Sequence, residues 1–326
     1  MVDTTLTPLL QVERLTVGLA KQPEAKILDS LTFELAKGEV LALVGESGCG
    51  KSLTSMAILG LLPNGVVQTD GEISFLGQPL SHCSPEERRQ LRGRRIALIP
   101  QDPMTSLNPV ITVGEQLAEV MQVHLGLTHT QAWQRAAELT EWVQLPQGKQ
   151  RLKAYPHELS GGMRQRIMIA IALSCDPDLL IADEPTTALD VTVQAQLLGL
   201  LRQLQQERNM GLLFITHDLG VVAELANRVI VMYAGQRVEE APVAALYSAP
   251  QHPYTQGLLA SVPRPGLAAG CLQPIAGQPP LPTQRPAGCS FHPRCPKVIE
   301  TCRTQVPVFT GEPQGVACWV AETPNL

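Results

Sequence analysis

The chain has 326 residues, a formal net charge of -5, 44% hydrophobic residues and eight cysteines. That length buries a full α/β core with room for a smaller module, and the acidic balance leaves out the basic footprint of a protein that grips a nucleic-acid backbone, so no nucleic-acid partner is expected. The start, Met1-Val2-Asp3-Thr4-Thr5, lacks a charged and then apolar leader, and no run approaches ~18 apolar residues, which points to a cytosolic protein that does not itself span a membrane.

Residues 8 to 17 read as a strand, Ile27 to Leu35 as another, and a Lys37-Gly38 turn feeds the apolar strand Glu39 to Val44. Gly45-Glu46-Ser47-Gly48-Cys49-Gly50-Lys51-Ser52 follows, opening a helical pattern over Leu53 to Leu62. This is a P-loop between a strand and a helix. Its glycines let successive N–H groups turn inward around phosphate oxygens, while the helix adds the positive end of its dipole. Lys51 is expected to reach the β- and γ-phosphates of ATP and Ser52 to ligate Mg2+. A plain glycine-rich turn is the weaker reading, because it explains neither flank.

Pro63-Asn64-Gly65 stops that helix, and Gly71 to Gly77 is a short strand. A charged helix has Pro85 in its first turn, and Arg95 to Ile99 is a buried-type strand running into Pro100-Gln101-Asp102-Pro103. From Thr112 to Leu145 the pattern is helical. Thr112 and Glu115 form a capping box, and Trp133, Ala136, Ala137, Thr140 and Val143 share one face, with Trp133 and Trp142 read as core. The α/β pattern resumes with Leu179-Leu180-Ile181-Ala182-Asp183-Glu184, a helix over Val193 to Arg208, and the strand Leu212 to Ile215. Val229 to Tyr233 and Gln236 to Glu239 form a terminal hairpin around Ala234-Gly235. Past about residue 249 the composition turns to Pro, Gly, Gln and Cys, which suggests a boundary: 1–249 as the nucleotide-binding domain and 250–326 as an extension.

Asp183 and Glu184 end an apolar run, and a strand buried between helices places both acids at its carboxyl end, where phosphates bind. Asp183 suits the Mg2+ shell and Glu184 the general base that polarises the attacking water. A solvated helix start before Pro185 is the plain alternative. The P-loop upstream tips the balance.

Leu159-Ser160-Gly161-Gly162-Met163 with the Gln/Arg-rich helix after it resembles the signature of ABC ATPases. Physically it is a second anion trap, with Ser160, Gly161 and Gly162 at a helix N-terminus. The resemblance implies an α/β P-loop fold with a RecA-like core, an antiparallel β subdomain, a helical insert over about 102–165 and a Cys/Pro-rich C-terminal extension. It implies that the Ser160 trap serves the γ-phosphate held by an opposing ATPase subunit. It also implies roles for Gln101 (Mg2+ and water), Asp190 (the loop between subunits) and His217 (the switch histidine). Taken singly, these three read as a loop amide, a helix N-cap and a surface histidine. Two positions depart from the family: Leu19 stands near the place of an adenine-stacking aromatic, and Pro100 replaces a common aromatic before Gln101.

Longer strings, Gln101 to Pro109, Tyr155 to Met163 and Pro250 to Thr255, resemble the ATP-binding subunits of dipeptide, oligopeptide and nickel importers. Such proteins pair two ATPase subunits with two membrane permease subunits and an extracytoplasmic solute-binding protein, at the cytoplasmic face of the membrane. The resemblance therefore implies ATP hydrolysis coupled to import of peptides or a related solute. A nickel or metal-chelate importer of the same family, or a soluble ABC ATPase outside transport, is the alternative. The tail carries Cys289, Cys295, Cys302 and Cys318, whose thiolates suit either Zn2+ or an iron–sulfur cluster. Their spacing fits no short zinc pattern, and the resemblance to the subfamily's extension implies [4Fe-4S]; zinc and simple reduced thiols stay open. Cys49, Cys83, Cys175 and Cys271 read as ordinary small residues, and Arg285 and Arg294 as solvated surface.

Overall fold

The computed structural model describes residues 7–187, 190–262 and 274–321. Cys271 and the Ala188-Leu189 pair before Asp190 lie outside the described residues. The chain opens with β1 (Leu10–Leu19), β2 (Gln22–Leu35), β3 (Val40–Val44), α1 (Lys51–Leu59), β4 (Val66–Phe75), β5 (Gln78–Pro79) and α2 (Pro85–Leu91). It continues through β6 (Ile96–Ile99), α3 (Pro103–Ser106), α4 (Val113–Leu125), α5 (His129–Trp142), α6 (Gly148–Arg151) and α7 (Gly161–Leu173). Then come β7 (Leu179–Asp183), α8 (Val191–Arg208), β8 (Gly211–Thr216), α9 (Leu219–Leu225), β9 (Arg228–Tyr233) and β10 (Gln236–Pro242). The last elements are α10 (Val243–Ser248), α11 (Pro253–Ala260), α12 (Glu300–Thr304) and β11 (Gly315–Val316).

These elements form two units: Met1–Leu35, Val40–Ser81 and Ile215–Leu326 in one, Ala36–Glu39 and His82–Phe214 in the other. In the first, β1 lies antiparallel between β2 and β4, with Leu10 opposite both Leu35 and Phe75. Strands β2 and β4 begin several residues earlier than apolar alternation suggests, because their exposed ends, such as Gln68 and Asp70, pair through backbone rather than through buried side chains. In the same unit β3 runs parallel to β9, and β10 pairs antiparallel with both β9 and β11. The expected hairpin is therefore not terminal. Val316 returns to pair with Glu239, a two-residue strand too short to register as a sequence pattern.

Tyr233, Tyr254 and Phe291 form the aromatic centre of this unit's core, with ring centroids 4.8 to 5.3 Å apart in edge and tilted contacts. Each is at most 2% exposed, and each buries about 150–250 Å², so residues past 249 bring some of the largest apolar surfaces here. In the second unit β6 runs parallel to β7, with Ile99 opposite Ala182, and α4 packs on α5. Every residue of β7 is buried, as expected of a parallel strand covered on both faces.

Three local expectations are corrected. Thr112 does cap α4, accepting from the Glu115 N–H at 3.4 Å, but the Glu115 carboxylate meets His129 Nε2 at 3.2 Å instead of closing a capping box. Trp142 is not core: Arg135 and Arg208 stack over its ring at 4.2 and 3.9 Å, which explains why an amphipathic ring ends the buried face of α5. Trp133 is half-buried and packs on Gly114, where a Cβ would come within 2.6 Å of the ring. Arg285 and Arg294 are not solvated surface; both are largely buried in ion pairs described below.

Candidate functional site

Parallel pairing of β3 with β9 sets Val44 opposite Val231, so the loop leaving β3 lies beside the β9–β10 turn. Gly235 N–H donates to Cys49 O at 3.0 Å, and a Cβ on Gly45 would fall 2.3 Å from Met232 O, which is why glycine opens the loop. Gly50 caps α1 at φ 104°, a left-handed conformation, and supplies no side-chain acceptor. With no capping side chain, an anionic ligand is the natural partner for the first turn of α1. The Lys51 side chain, in a residue only 4% exposed, lies over the loop, donating to Gly45 O at 2.7 Å and Glu46 O at 3.2 Å. Cys49 is buried beneath it, and burial raises its thiol pKa.

Glu46 is held at several atoms. Its N–H donates to the Tyr254 hydroxyl at 2.9 Å, its carbonyl accepts from Cys49 N–H at 3.2 Å, and its carboxylate receives both terminal nitrogens of Arg294 at 2.7 and 3.0 Å. Leu19, the position without an aromatic, is half-buried at the end of β1, opposite Gln22 and Val66. His217 follows β8 on the exposed side, and Asp218 caps α9 by accepting from Gly220 N–H at 2.8 Å.

In the second unit the parallel register of β6 and β7 brings the residues after both strand ends together. Gln101 Nε2 donates to Glu184 Oε2 at 3.1 Å, and Thr187 Oγ1 donates to the same oxygen at 3.1 Å. Glu184 is 9% exposed and sits at φ 47°, a left-handed conformation that costs a non-glycine residue on the order of 1 kcal/mol or more. A buried, strained, hydrogen-bonded carboxylate beyond a parallel strand is the profile of a positioned base. Asp183, 6% exposed, ends β7. Ser160 caps α7, its hydroxyl accepting from Met163 N–H at 3.4 Å, and Ser160 and Gly161 are exposed. Asp190 caps α8 by accepting from Val193 N–H at 2.9 Å, so the plain N-cap reading describes what its side chain does in this chain.

Sequence reasoning missed Arg294, Tyr254 and Thr187. The signal for Arg294 lay in a tail with no periodicity, and only the return of that tail to the P-loop gives it a partner. Among the described residues no group of three or more His, Cys, Asp or Glu is disposed to hold a metal ion. Cys289, Cys295, Cys302 and Cys318 nevertheless lie near one another: Cys289 N–H donates to Cys302 O at 2.8 Å. Burial pushes the Cys289 thiol up to about 11, and it raises the thiols of Cys295 and Cys318 too, with the neighbouring sulfurs adding to each shift. Among the described residues no helix is long and apolar enough to cross a membrane.

A family profile described as ABC transporter matches residues 28–187, and one described as oligopeptide/dipeptide transporter, C-terminal region, matches residues 238–302. The oligopeptide transport ATP-binding protein AppD of Bacillus subtilis (strain 168) is 49% identical over 321 residues, covering 97% of this chain and 98% of that one. The dipeptide transport ATP-binding protein DppD of Escherichia coli (strain K12) is 48% identical over 303 residues, 92% of each. Among solved structures, the dimeric bacterial ABC transporter cassette MJ0796 superposes with a TM-score of 0.64 at 25% identity, over 72% of this chain and 98% of that one. Component cbiO1 of the cbiONQ transporter of Clostridium perfringens gives 0.65 at 25% identity, over 74% and 91%.

Proposed function

The chain belongs to the ABC transporter ATP-binding proteins, in their oligopeptide and dipeptide branch, and from that membership we propose how its residues divide the work of one ATPase cycle. It is the subunit that hydrolyses ATP to energise a peptide importer. Gly45 to Ser52 cradle the phosphates, and Lys51 leaves its carbonyl partners for the β- and γ-phosphate oxygens. Ser52, Asp183 and Gln101 offer hydroxyl, carboxylate and amide oxygens, a hard donor set that fits Mg2+. Held by these residues, Mg2+ would supply positive charge against that developing on the phosphate oxygens.

Glu184 orients the attacking water and takes its proton. Gln101 and Thr187 hold the acid by the oxygen they share, and this carries the reading: parallel strand ends deliver a fixed, buried carboxylate with an amide beside it. His217 steadies the γ-phosphate end, and Ser160, Gly161, Gly162 and Asp190 face a second ATPase subunit, whose nucleotide the exposed N-terminus of α7 completes. Residues 1–249 form the nucleotide-binding domain and 250–326 an extension to it. The partners proposed are that second subunit, two permease subunits docked on the insert over 102–165, and an extracytoplasmic solute-binding protein, with the chain at the cytoplasmic face of the membrane. Nucleotide-driven closing and hydrolysis-driven reopening of the ATPase pair alternate the permeases between two states.

For the tail we propose an iron–sulfur cluster on the four cysteines, with Zn2+ as alternative, supported by their proximity. No catalytic step passes through it, and iron, sulfide and zinc analysis of anaerobically purified protein decides. The ATPase reading is tested by Glu184→Gln: MgATP binding is retained while turnover falls at least ~100-fold. Undiminished turnover would refute the base assignment, and recovery with ribosomes instead of polytopic membrane proteins would refute import.

A further inference from the structure

We propose that Arg294 is a positioning residue for the P-loop: it fixes Glu46, and through Glu46 the resting place of Lys51, so that the C-terminal extension tunes nucleotide affinity. The inference rests on the ATPase reading above. Bidentate Arg–carboxylate pairs are the most directional ionic contact a side chain makes, and this one is deeply placed, the Arg294 side chain being 5% exposed. The guanidinium is itself over-determined: Nε donates to Ala276 O at 2.9 Å, one terminal nitrogen to Ile275 O at 3.3 Å, and the other to the Tyr233 hydroxyl at 3.4 Å. Arg294 therefore serves as a rigid post. On the far side of the same residue, Tyr254 receives the Glu46 N–H, so two residues past 249 pin the side chain and the backbone of one loop position.

The consequence follows from what Glu46 does inside the loop. Its carbonyl accepts from Lys51 Nζ and from Cys49 N–H, so a displaced Glu46 carries away a partner of the lysine that must reach phosphate. Holding the loop in shape before ATP arrives removes an ordering cost from binding. Arg294 meets Glu46 through its carboxylate alone, while the phosphates are met by the backbone of the loop and by Lys51, so Arg294 touches no reacting atom. Its loss should weaken ground-state and transition-state binding together, raising KM with kcat little changed.

The test uses the full chain and a double-mutant cycle on Arg294→Ala and Glu46→Ala, with MgATP affinity and steady-state kinetics as readouts. Each single change is expected to raise Kd and KM about tenfold, and the double no further than either. Arg294→Lys, which keeps the charge but only part of the fork, should recover a portion of the loss, and Glu46→Gln should fall between wild type and Glu46→Ala. If either alanine variant fails to fold, the Lys and Gln variants form the cycle alone. Wild-type KM in Arg294→Ala, additive effects in the cycle, or a loss confined to kcat would each overturn the proposal. Wild-type protein without MgATP affinity, indistinguishable from Lys51→Ala, would sink the ATPase reading itself, a separate failure.

Discussion

Glu239→Gln is the sharpest probe of how the tail is fastened. Glu239 is fully buried on β10, and its carboxylate accepts from Gln251 N–H at 2.8 Å, His252 N–H at 2.9 Å and Gln314 Nε2 at 3.2 Å. One oxygen serves Gln251 and Gln314, and the other serves His252. A glutamine must turn its NH2 toward one of these groups. The cheaper rotamer orphans the His252 N–H at about 1–3 kcal/mol, and the surviving two bonds lose their charge assistance at about 1 kcal/mol each. The sum is about 3–5 kcal/mol, a large share of a typical folding free energy of about 5–15 kcal/mol. The assay is amide hydrogen exchange at Gln251 and His252 together with the urea unfolding midpoint. Protection should collapse at the His252 amide and fall less at Gln251, whose weaker bond survives, and MgATP affinity should fall because α11 carries Tyr254 to Glu46. A shift below about 1 kcal/mol with protection intact would refute the reasoning.

Further outcomes follow from other buried groups. His252 is buried, its Nδ1 accepts from Tyr254 N–H at 3.0 Å, its Nε2 has no partner among the described residues, and burial pushes its pKa down to about 3. Because the unfolded chain takes up that proton near pH ~6.5 and the folded one does not, stability present at pH 7 should fall by about 2 kcal/mol on going to pH ~5. His252→Asn, retaining an acceptor, should flatten that slope in unfolding measured across pH; an unchanged slope would exclude the histidine as its source. Burial alone would raise the Asp29 carboxyl, but the Lys26 hydrogen bond and the Arg285 charge more than offset it, leaving it below the usual carboxylate range. Its stabilisation is present above pH ~4 and is lost as pH falls through the lower folded value, so Arg285→Met should blunt acid unfolding as well as lower stability by about 1–3 kcal/mol. Gln101→Ala should cut turnover about 10-fold or more by freeing Glu184 and, through the lost amide oxygen, raise the Mg2+ concentration needed for half-maximal rate, both read in a phosphate-release assay.

Much of the candidate site was legible because its chemistry is written in contiguous residues. A P-loop needs strand, glycines, Lys51 and Ser52 in one run, and Asp183-Glu184 at the end of four apolar residues needs no tertiary information to stand at a strand's carboxyl end. Apolar continuity likewise marked β3, β6, β7 and β9. What stayed hidden depends on pairs distant in the chain. Residues 101 and 184 meet only through the parallel register of β6 and β7, and a backbone angle such as that of Glu184 leaves no compositional trace. Trp142 read as core because a ring at a helical position is ambiguous until two arginines from different helices, Arg135 and Arg208, are seen on its faces.

The P-loop shows the division most clearly. The sequence alone pointed to Gly45 to Ser52 as the proposed phosphate loop, since local backbone geometry and one lysine suffice for that chemistry. Only the tertiary structure decided what holds the loop in place. Arg294 and Tyr254 reach Glu46 because β11 returns to β10 and Phe291 buries itself against Tyr233, long-range contacts whose free energy comes from packing rather than from any pattern of neighbours along the chain.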